Sequence, residues 1–393
     1  MQAVNVTEML SRVERIAPFL AEHRDAAEQA GQLDKAVVAV MREIGLFALP
    51  VPLSLGGAEM RPTDLYQIWE AVARIDSAAG WNLAQASAGI VFAGRLGEDG
   101  LNRVFGAIQQ PYFAGAGNPP LSGTKVEGGY IVNGRVPFVT GAHHADWLFF
   151  VMLPLQDGKP VMDPVVGRPM PHFVFVPPSD VTLLDNWDVL GMRATGSTDV
   201  ELSDLFVPDA MTVPAAPPST VHPAFAGALY RMQPWPVIHG EALVSIAIAA
   251  SAIDLFRQTE TNKVPAMSQV ALAEREWVQL NVGRAQAQVD AARAYLHRTA
   301  ADAYAKAEHG ALDREARTAL QLAACYAAEA GAKAVDLIHE CAGSSGIRND
   351  KMFQRHFRDI HVCTQHATKS VARYVSAGRL LLGLDADVPL LAS

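Results

Sequence analysis

The spacing of apolar residues changes twice along the chain, and this limits the fold more than any other feature. Up to about Phe105 apolar residues recur at helical spacing: Val13, Ile16, Phe19 and Leu20, then Val37, Val40, Ile44 and Phe47. Leu46-Phe-Ala-Leu-Pro-Val-Pro-Leu-Ser-Leu-Gly-Gly interrupts that rhythm. Pro62-Thr-Asp restarts it, with Leu65, Ile68, Trp69 and Val72. Beyond Pro111 the rhythm becomes alternation. Tyr130-Ile-Val-Asn-Gly-Arg-Val-Pro-Phe-Val-Thr-Gly alternates around Asn133-Gly134, a pair favoured in two-residue turns, so a hairpin is predicted there. Leu148-Phe-Phe-Val-Met-Leu, His172-Phe-Val-Phe-Val and Asp199-Val-Glu-Leu-Ser-Asp-Leu-Phe-Val-Pro read as further strands.

A Pro/Ala/Ser linker follows from Pro214 to Pro223, and from Trp235 the helical spacing returns. Four antiparallel helices are predicted, over Glu241–Thr261, Ser268–Glu308, Leu312–Glu340 and Lys351–Leu382. The expected fold class is α+β, mostly α. It has an N-terminal helical domain (1–110), a β-barrel-like domain (111–214) and a C-terminal four-helix bundle (215–393). Long apolar helices of this kind often form oligomer interfaces, so a homotetramer or dimer is expected.

The formal charge of −9, with no basic cluster, argues against nucleic acid or an anionic membrane surface as partner. Three cysteines, Cys325, Cys341 and Cys363, suit a reducing compartment better than a disulfide framework. Met1-Gln-Ala-Val-Asn-Val lacks the basic and apolar regions of a signal peptide. The apolar run Ala242 to Ile253 is too short to span a bilayer and reads as a buried helix. A soluble, cytoplasmic protein is expected.

One stretch near the C-terminus departs from the apolar pattern. Cys341-Ala-Gly-Ser-Ser-Gly-Ile-Arg precedes Phe353-Gln-Arg-His-Phe-Arg-Asp-Ile-His-Val-Cys-Thr-Gln-His366. Arg355, Asp359 and His366 lie at i, i+4 and i+11, nearly one face of a continuous helix. Either Arg355 and Asp359 form an ion pair on a solvated stripe with His366 beside it, or the histidine meets a cofactor or substrate. His356, His361 and His366 are five apart, the wrong interval for helical metal ligands, and no metal site is expected.

Three segments resemble the acyl-CoA dehydrogenase superfamily, whose order of domains is the one predicted. Trp187-Asp-Val-Leu-Gly-Met-Arg-Ala-Thr-Gly-Ser-Thr-Asp-Val-Glu-Leu-Ser-Asp-Leu-Phe-Val-Pro is similar to the segment closing its β domain. Phe138-Val-Thr-Gly-Ala-His-His-Ala-Asp-Trp is similar to its strand and turn on the flavin. Ala342-Gly-Ser-Ser-Gly and Arg355-His-Phe-Arg-Asp359 resemble its C-terminal flavin-contacting stretch. Within the superfamily the two-component, flavin-dependent monooxygenases fit better. In that branch the stretch after Arg-Asp ends in a histidine, as His366 does here. The dehydrogenases usually place a glutamate there, and here Ala367 is the neighbour, with no carboxylate from Ile360 to Leu384. Some dehydrogenases carry the base early in the first bundle helix, where Glu241 stands. An acid is also what a helix dipole favours at an N-terminus, and that is the preferred reading of Glu241.

The resemblance implies a reduced flavin, FAD or FMN, that reacts with O2 through a C4a-hydroperoxide and oxygenates an aromatic or polycyclic small molecule. It assigns catalytic roles to His366 and Thr140. It assigns flavin binding to Thr140, Gly141, Trp187, Arg193, Thr195 and Ser197, and, toward a neighbouring subunit, to Gly343 and Ser344. Trp81, Asn82, Phe113 and Trp235, with Phe92 nearby, would line the substrate pocket. Arg355, Arg358 and Asp359 would tie helices together, and His143 and His144 are weaker candidates on a nearby turn. No Gly-x-Gly-x-x-Gly follows a strand, so a separate NAD(P)H:flavin reductase would supply the reduced flavin.

Overall fold

A computed structural model describes residues 5–162, 167–215, 221–388 and 391. Six helices open the chain: α1 Val6–Ala30, α2 Lys35–Glu43, α3 Pro62–Ile75, α4 Ser77–Ala86, α5 Ala88–Ala93 and α6 Glu98–Phe105. Their starts follow local chemistry. Asn5 and Asp34 cap α1 and α2 through their side-chain oxygens, and Pro62 begins α3 where no amide partner is needed. Asp76 accepts from the amides of Ala78 and Ala79 and sets the corner between α3 and α4. That corner holds α4, which carries Trp81 and Gln85, against the middle of the molecule.

The middle is one eight-stranded sheet. Its strands are β1 Phe113–Val126, β2 Gly129–Val139, β3 Trp147–Gln156, β4 Lys159–Pro160, β5 His172–Val176, β6 Thr182–Leu183, β7 Thr198–Pro208 and β8 Thr212–Pro214. They lie in the order β6-β7-β2-β1-β3-β5-β8, with β4 on β3. Only β1 and β3 pair in parallel. Asn133-Gly134 is not the hairpin turn. The turn is Glu127-Gly128, with Gly128 left-handed, and β2 runs straight through Asn133 and Gly134. The register against β7 slips between Val132 and Gly134, and Asn133 exchanges hydrogen bonds with Asp204 across that slip. A pair that favours a turn in isolation therefore serves a bulge, because a long-range partner strand takes its bonds. The linker expected over Pro214–Pro223 lies partly outside the described residues.

The C-terminal part has α7 Ala228–Arg231, α8 Trp235–Thr259, α9 Glu276–His309, α10 Arg314–Ala342, α11 Met352–Cys363 and α12 Val371–Leu381. Helix α8 is longer than its apolar run suggested. By length and composition it is the one helix among the described residues that could cross a membrane, but 94% of that stretch is buried inside the fold, against α3, α4, α9, α10 and α11. Helix α9 begins at Glu276 and not Ser268, since the preceding residues form turns and a short 3-10 helix at Leu272–Glu274.

The most consequential difference is at the end. The single helix expected over Lys351–Leu382 is two, α11 and α12, and His366 lies in the turn between them. No glycine or proline marks the break. Tertiary bonds make it: the Thr368 hydroxyl and the Lys369 ammonium go to Glu241, and the Thr368 carbonyl accepts from Gln321 Nε2 at 2.8 Å. His366 therefore does not share a helix face with Arg355 and Asp359. Nor do those two form a solvated pair. Both are buried; Arg355 bonds Asp25 and Glu28 of α1, and Asp359 accepts from Ser77 Oγ and the Met192 amide.

Candidate active site

A cavity of about 650 Å³ opens between the sheet, α4 and the end of α11. It falls within the range of roughly 300–1,000 Å³ usual for small-molecule sites. One wall comes from the sheet. Thr140, just past β2, and Thr195 and Ser197, just before β7, line it together with Trp187 and Phe138. The hydroxyls form a row: Thr140 Oγ1 lies 2.8 Å from Ser197 Oγ, which lies 2.8 Å from Thr195 Oγ1, which donates to the Met192 carbonyl at 2.8 Å. All three residues are buried. Phe138 has φ +62° in a second β2 slip, which aims its ring outward to meet Trp187 edge-on at 6.1 Å. Gly141, at φ +71°, makes the tight turn after Thr140; a Cβ there would lie 2.1 Å from the Tyr112 hydroxyl and 2.6 Å from Asn82 Oδ1.

The opposite wall carries the ionisable groups. Glu241, one and a half turns into α8, is 2% exposed. Its Oε1 accepts from Gln85 Nε2 at 2.8 Å. Its Oε2 accepts from Thr368 Oγ1 at 2.8 Å, from His366 Nδ1 at 3.0 Å and from Lys369 Nζ at 3.4 Å. Lys369 has a fully buried side chain and sits 4.3 Å above the Trp81 ring. His366 meets Trp81 edge-on at 5.5 Å. Burial alone would push the Glu241 carboxyl up, but His366 and Lys369 beside it and the hydrogen bonds from His366 and Thr368 outweigh it and hold the pKa at about 2.

This network fixes the histidine. The single proton of Thr368 goes to Glu241, so the 2.8 Å contact between Thr368 Oγ1 and His366 Nδ1 needs the proton on Nδ1. In neutral His366 the lone pair is then on Nε2, on a ring that lines the cavity. Such a group can take a proton from a bound molecule. Glu241 cannot take the same role, because its oxygens are filled by four donors and its charge is compensated. Cys363 also lines the cavity, and burial pushes its thiol up to about 12, so it stays protonated.

The structure thus brings His366, Thr140, Trp187, Thr195, Ser197 and Trp81 to one cavity. It does not bring the other candidates there. Arg193 turns away to the carbonyls of Glu28 and Val189 and to Asp188. Phe113 and Trp235 are core residues, and Asn82 lies beneath the Gly141 turn, bonded to Tyr112 Oη at 2.6 Å. Phe92 stacks on Phe173 at 4.1 Å outside the lining. Gly343 and Ser344 are exposed at the end of α10. His143 pairs with Asp185, and burial pushes His144 down to about 4; neither lines the cavity. Gln85, Phe138, Phe149, Thr368 and Lys369 were not singled out from sequence. The detectable signal was Glu241 itself: a carboxylate inside Trp-Pro-Val-Ile-His-Gly-Glu-Ala-Leu-Val-Ser-Ile-Ala-Ile demands buried donors from elsewhere.

Residues 9–100 match the acyl-CoA dehydrogenase N-terminal domain family and residues 239–370 the acyl-CoA dehydrogenase C-terminal domain family. A pigment production hydroxylase of Rhodococcus sp. is 27% identical, with 98% of this chain and 99% of that protein aligned. The flavin-dependent monooxygenase oxygenase subunit HsaA of Mycobacterium tuberculosis is 24% identical over 98% of this chain and 97% of its own. The structure of XiaF from Streptomyces sp. in complex with FADH2 and glycerol superposes with a TM-score of 0.87 at 23% identity, covering 98% of this chain and 97% of that one. With both helical parts matched and the sheet between them, the chain belongs to the acyl-CoA dehydrogenase superfamily, in its flavin-dependent monooxygenase branch.

Proposed function

We propose that the chain is the oxygenase component of a two-component flavin-dependent monooxygenase. It takes reduced flavin, FAD or FMN, from a separate NAD(P)H:flavin reductase, uses O2 as co-substrate, and hydroxylates an aromatic small molecule. The observation that carries this reading is the pairing of a locked Glu241 with an accessible His366. Removal of the α-proton of an acyl thioester needs a carboxylate free to accept it. Glu241 is the one carboxylate among the described lining residues, and it is held ionised by Lys369 and His366. What remains is an imidazole with its acceptor nitrogen free, suited to the hydroxyl or ring N–H of an aromatic substrate.

The flavin-binding wall is Thr140, Trp187, Thr195 and Ser197, with Gly141 making the turn behind Thr140. When bound, the reduced flavin supplies the electrons that activate O2. His366 takes the substrate proton, and Trp81 with Phe149 gives the substrate an apolar seat that keeps water from the reacting groups. No lysine or arginine is among the described lining residues, and the one close cation, Lys369, is spent on Glu241 and Trp81. The substrate is therefore uncharged apart from the proton it gives up. A homotetramer or dimer fits the exposed apolar positions Val371 and Val375 on α12 and Trp277 and Leu280 on α9. In that assembly Gly343 and Ser344 meet the flavin of a neighbouring copy. The three cysteines are free and buried, which suits a cytoplasmic enzyme.

The test is a panel of phenols, indoles and aromatic carboxylates incubated with the protein, NADH, flavin and a generic flavin reductase, read by mass spectrometry. A gain of one oxygen on uncharged phenols or indoles is expected. Turnover of the carboxylates alone would refute the substrate class, and no oxygenation anywhere would refute the activity.

A further inference from the structure

Glu241 holds His366 with one carboxylate oxygen and fixes Gln85 with the other. Gln85 stands one turn after Trp81 on α4, and both side chains line the cavity. An amide end can be turned either way in principle, but here it has one choice. Glu241 already accepts from the Thr368 hydroxyl and the Lys369 ammonium, so it is a carboxylate and only accepts. Gln85 must therefore give it Nε2, at 2.8 Å. The carbonyl oxygen, Oε1, is left on the far side of the amide and accepts from no described group.

The same carboxylate holds His366 through Nδ1, which leaves Nε2 of the ring as the free acceptor. Two neighbouring groups on one wall thus each spend a proton on Glu241 and each keep a lone pair. An N–H that gives to an anion also strengthens the acceptor at the other end of the same group. The donors around them are engaged: Lys369 on Glu241 and Trp81, Thr368 on Glu241, and the exposed Gln365 amide on Thr364. Asn82, on the same helix as Gln85, is closed by Ala78 and Tyr112.

A wall with two acceptors side by side suits a molecule with two donors. We propose that Gln85 is a specificity-determining residue, and that the substrate carries a second donor, a ring hydroxyl or amino group that meets the Gln85 carbonyl while its first hydroxyl meets His366. This rests on the reading that His366 takes the substrate proton. The class is dihydric phenols and aminophenols. An ether oxygen in the second position would face the Gln85 carbonyl with lone pair against lone pair. A ring with a single hydroxyl would leave that carbonyl without a partner.

The test compares resorcinol, catechol, hydroquinone and an aminophenol with phenol and with the mono-O-methyl ethers of the diols. The whole protein is supplied with flavin, NADH and a generic flavin reductase, and kcat/KM is taken from the oxygenated product by mass spectrometry. At least one two-donor ring is expected to exceed phenol and its own ether by about tenfold, the equivalent of about 1.4 kcal/mol for one hydrogen bond. Gln85→Leu and Gln85→Met each remove the carbonyl and are expected to bring that ratio to near one; a melting curve checks that each is folded. If Gln85 served only to hold Glu241, both variants would slow every phenol alike and leave the ratio unchanged, and that result would overturn the proposal. So would a parent enzyme that oxygenates phenol as well as any two-donor ring. If no phenol were oxygenated at all, the reading of His366 as the base for a phenol would fall, and this proposal with it.

Discussion

Glu241→Gln isolates the buried charge at the centre of the site. Glutamine keeps the size of the side chain and an oxygen for Thr368, but leaves Lys369, fully buried, without an anion. The magnitude follows from the carboxyl itself. Its pKa is about 2 in the fold against an ordinary 4.5. At 1.36 kcal/mol per pH unit that gap is worth about 3 kcal/mol. Removing one partner of a buried pair costs about 3–5 kcal/mol by an independent route, and the two figures describe the same interaction, so they are not added. The sign is set by the direction. Because the folded pKa is depressed, the stabilisation is present in full above about pH 4.5 and is lost as pH falls toward 2. Thermal melts at pH 7 should show Glu241→Gln lower by about 4–6 °C. Its melting temperature should fall less steeply than that of the parent between pH 4.5 and the acid limit. Glu241→Gln combined with Lys369→Met removes both charges and should recover most of the loss, apart from the Lys369–Trp81 contact. A Glu241→Gln melt within a degree of the parent at pH 7, or no recovery in the double variant, would refute the reasoning.

Three further outcomes follow from other parts of the structure. His366→Gln should reduce substrate oxygenation by roughly 10²- to 10⁴-fold, the usual contribution of a general base, while the melt falls by less than that of Glu241→Gln, since the side chain is 35% exposed and Lys369 and Thr368 still hold Glu241. Stopped-flow turnover beside a melting curve decides it, and normal turnover would remove His366 from the mechanism. Gly141→Ala should destabilise by about 2 kcal/mol or more and abolish flavin binding, since its φ is +71° and the new methyl would strike Tyr112 and Asn82; calorimetry and a flavin titration check both. Arg193→Ala should leave flavin affinity within about threefold of the parent, because the guanidinium is bonded to Glu28, Asp188 and Val189 and not turned to the cavity; a tenfold weaker Kd would contradict this.

What could be read from the sequence was what depends on local period. The helices around Val13, Leu65 and Trp69, and the strands at Leu148, His172 and Asp199, stand where the spacing puts them. What could not be read depended on distant partners. Asn133-Gly134 has the chemistry of a turn, and only β7 decides that it is a bulge. The residues from Thr364 to Ser370 carry no helix-breaking signal, and the chain leaves the helix there because Glu241 and Gln321 compete for its polar groups. His366 was reached through its place in a motif, not through the face of a continuous helix, which does not exist. Glu241 was read as an acid at a helix N-terminus because the apolar run seemed to begin there. In the structure α8 begins at Trp235, and the carboxylate is an interior charge. Arg193 and Phe113 show the converse error: a residue type suited to a site, in a segment near it, turned the other way.

The most direct measurement of the central claim uses labelled oxygen. The protein is mixed with enzymatically reduced flavin and a phenol or indole accepted in the panel, under an atmosphere of ¹⁸O2, and the product mass is compared with that from ¹⁶O2. One labelled atom in the product, lost in His366→Gln while reduced flavin still binds, is the predicted result. An unlabelled product, or no product together with anaerobic bleaching of bound flavin by an acyl-CoA thioester, would contradict it.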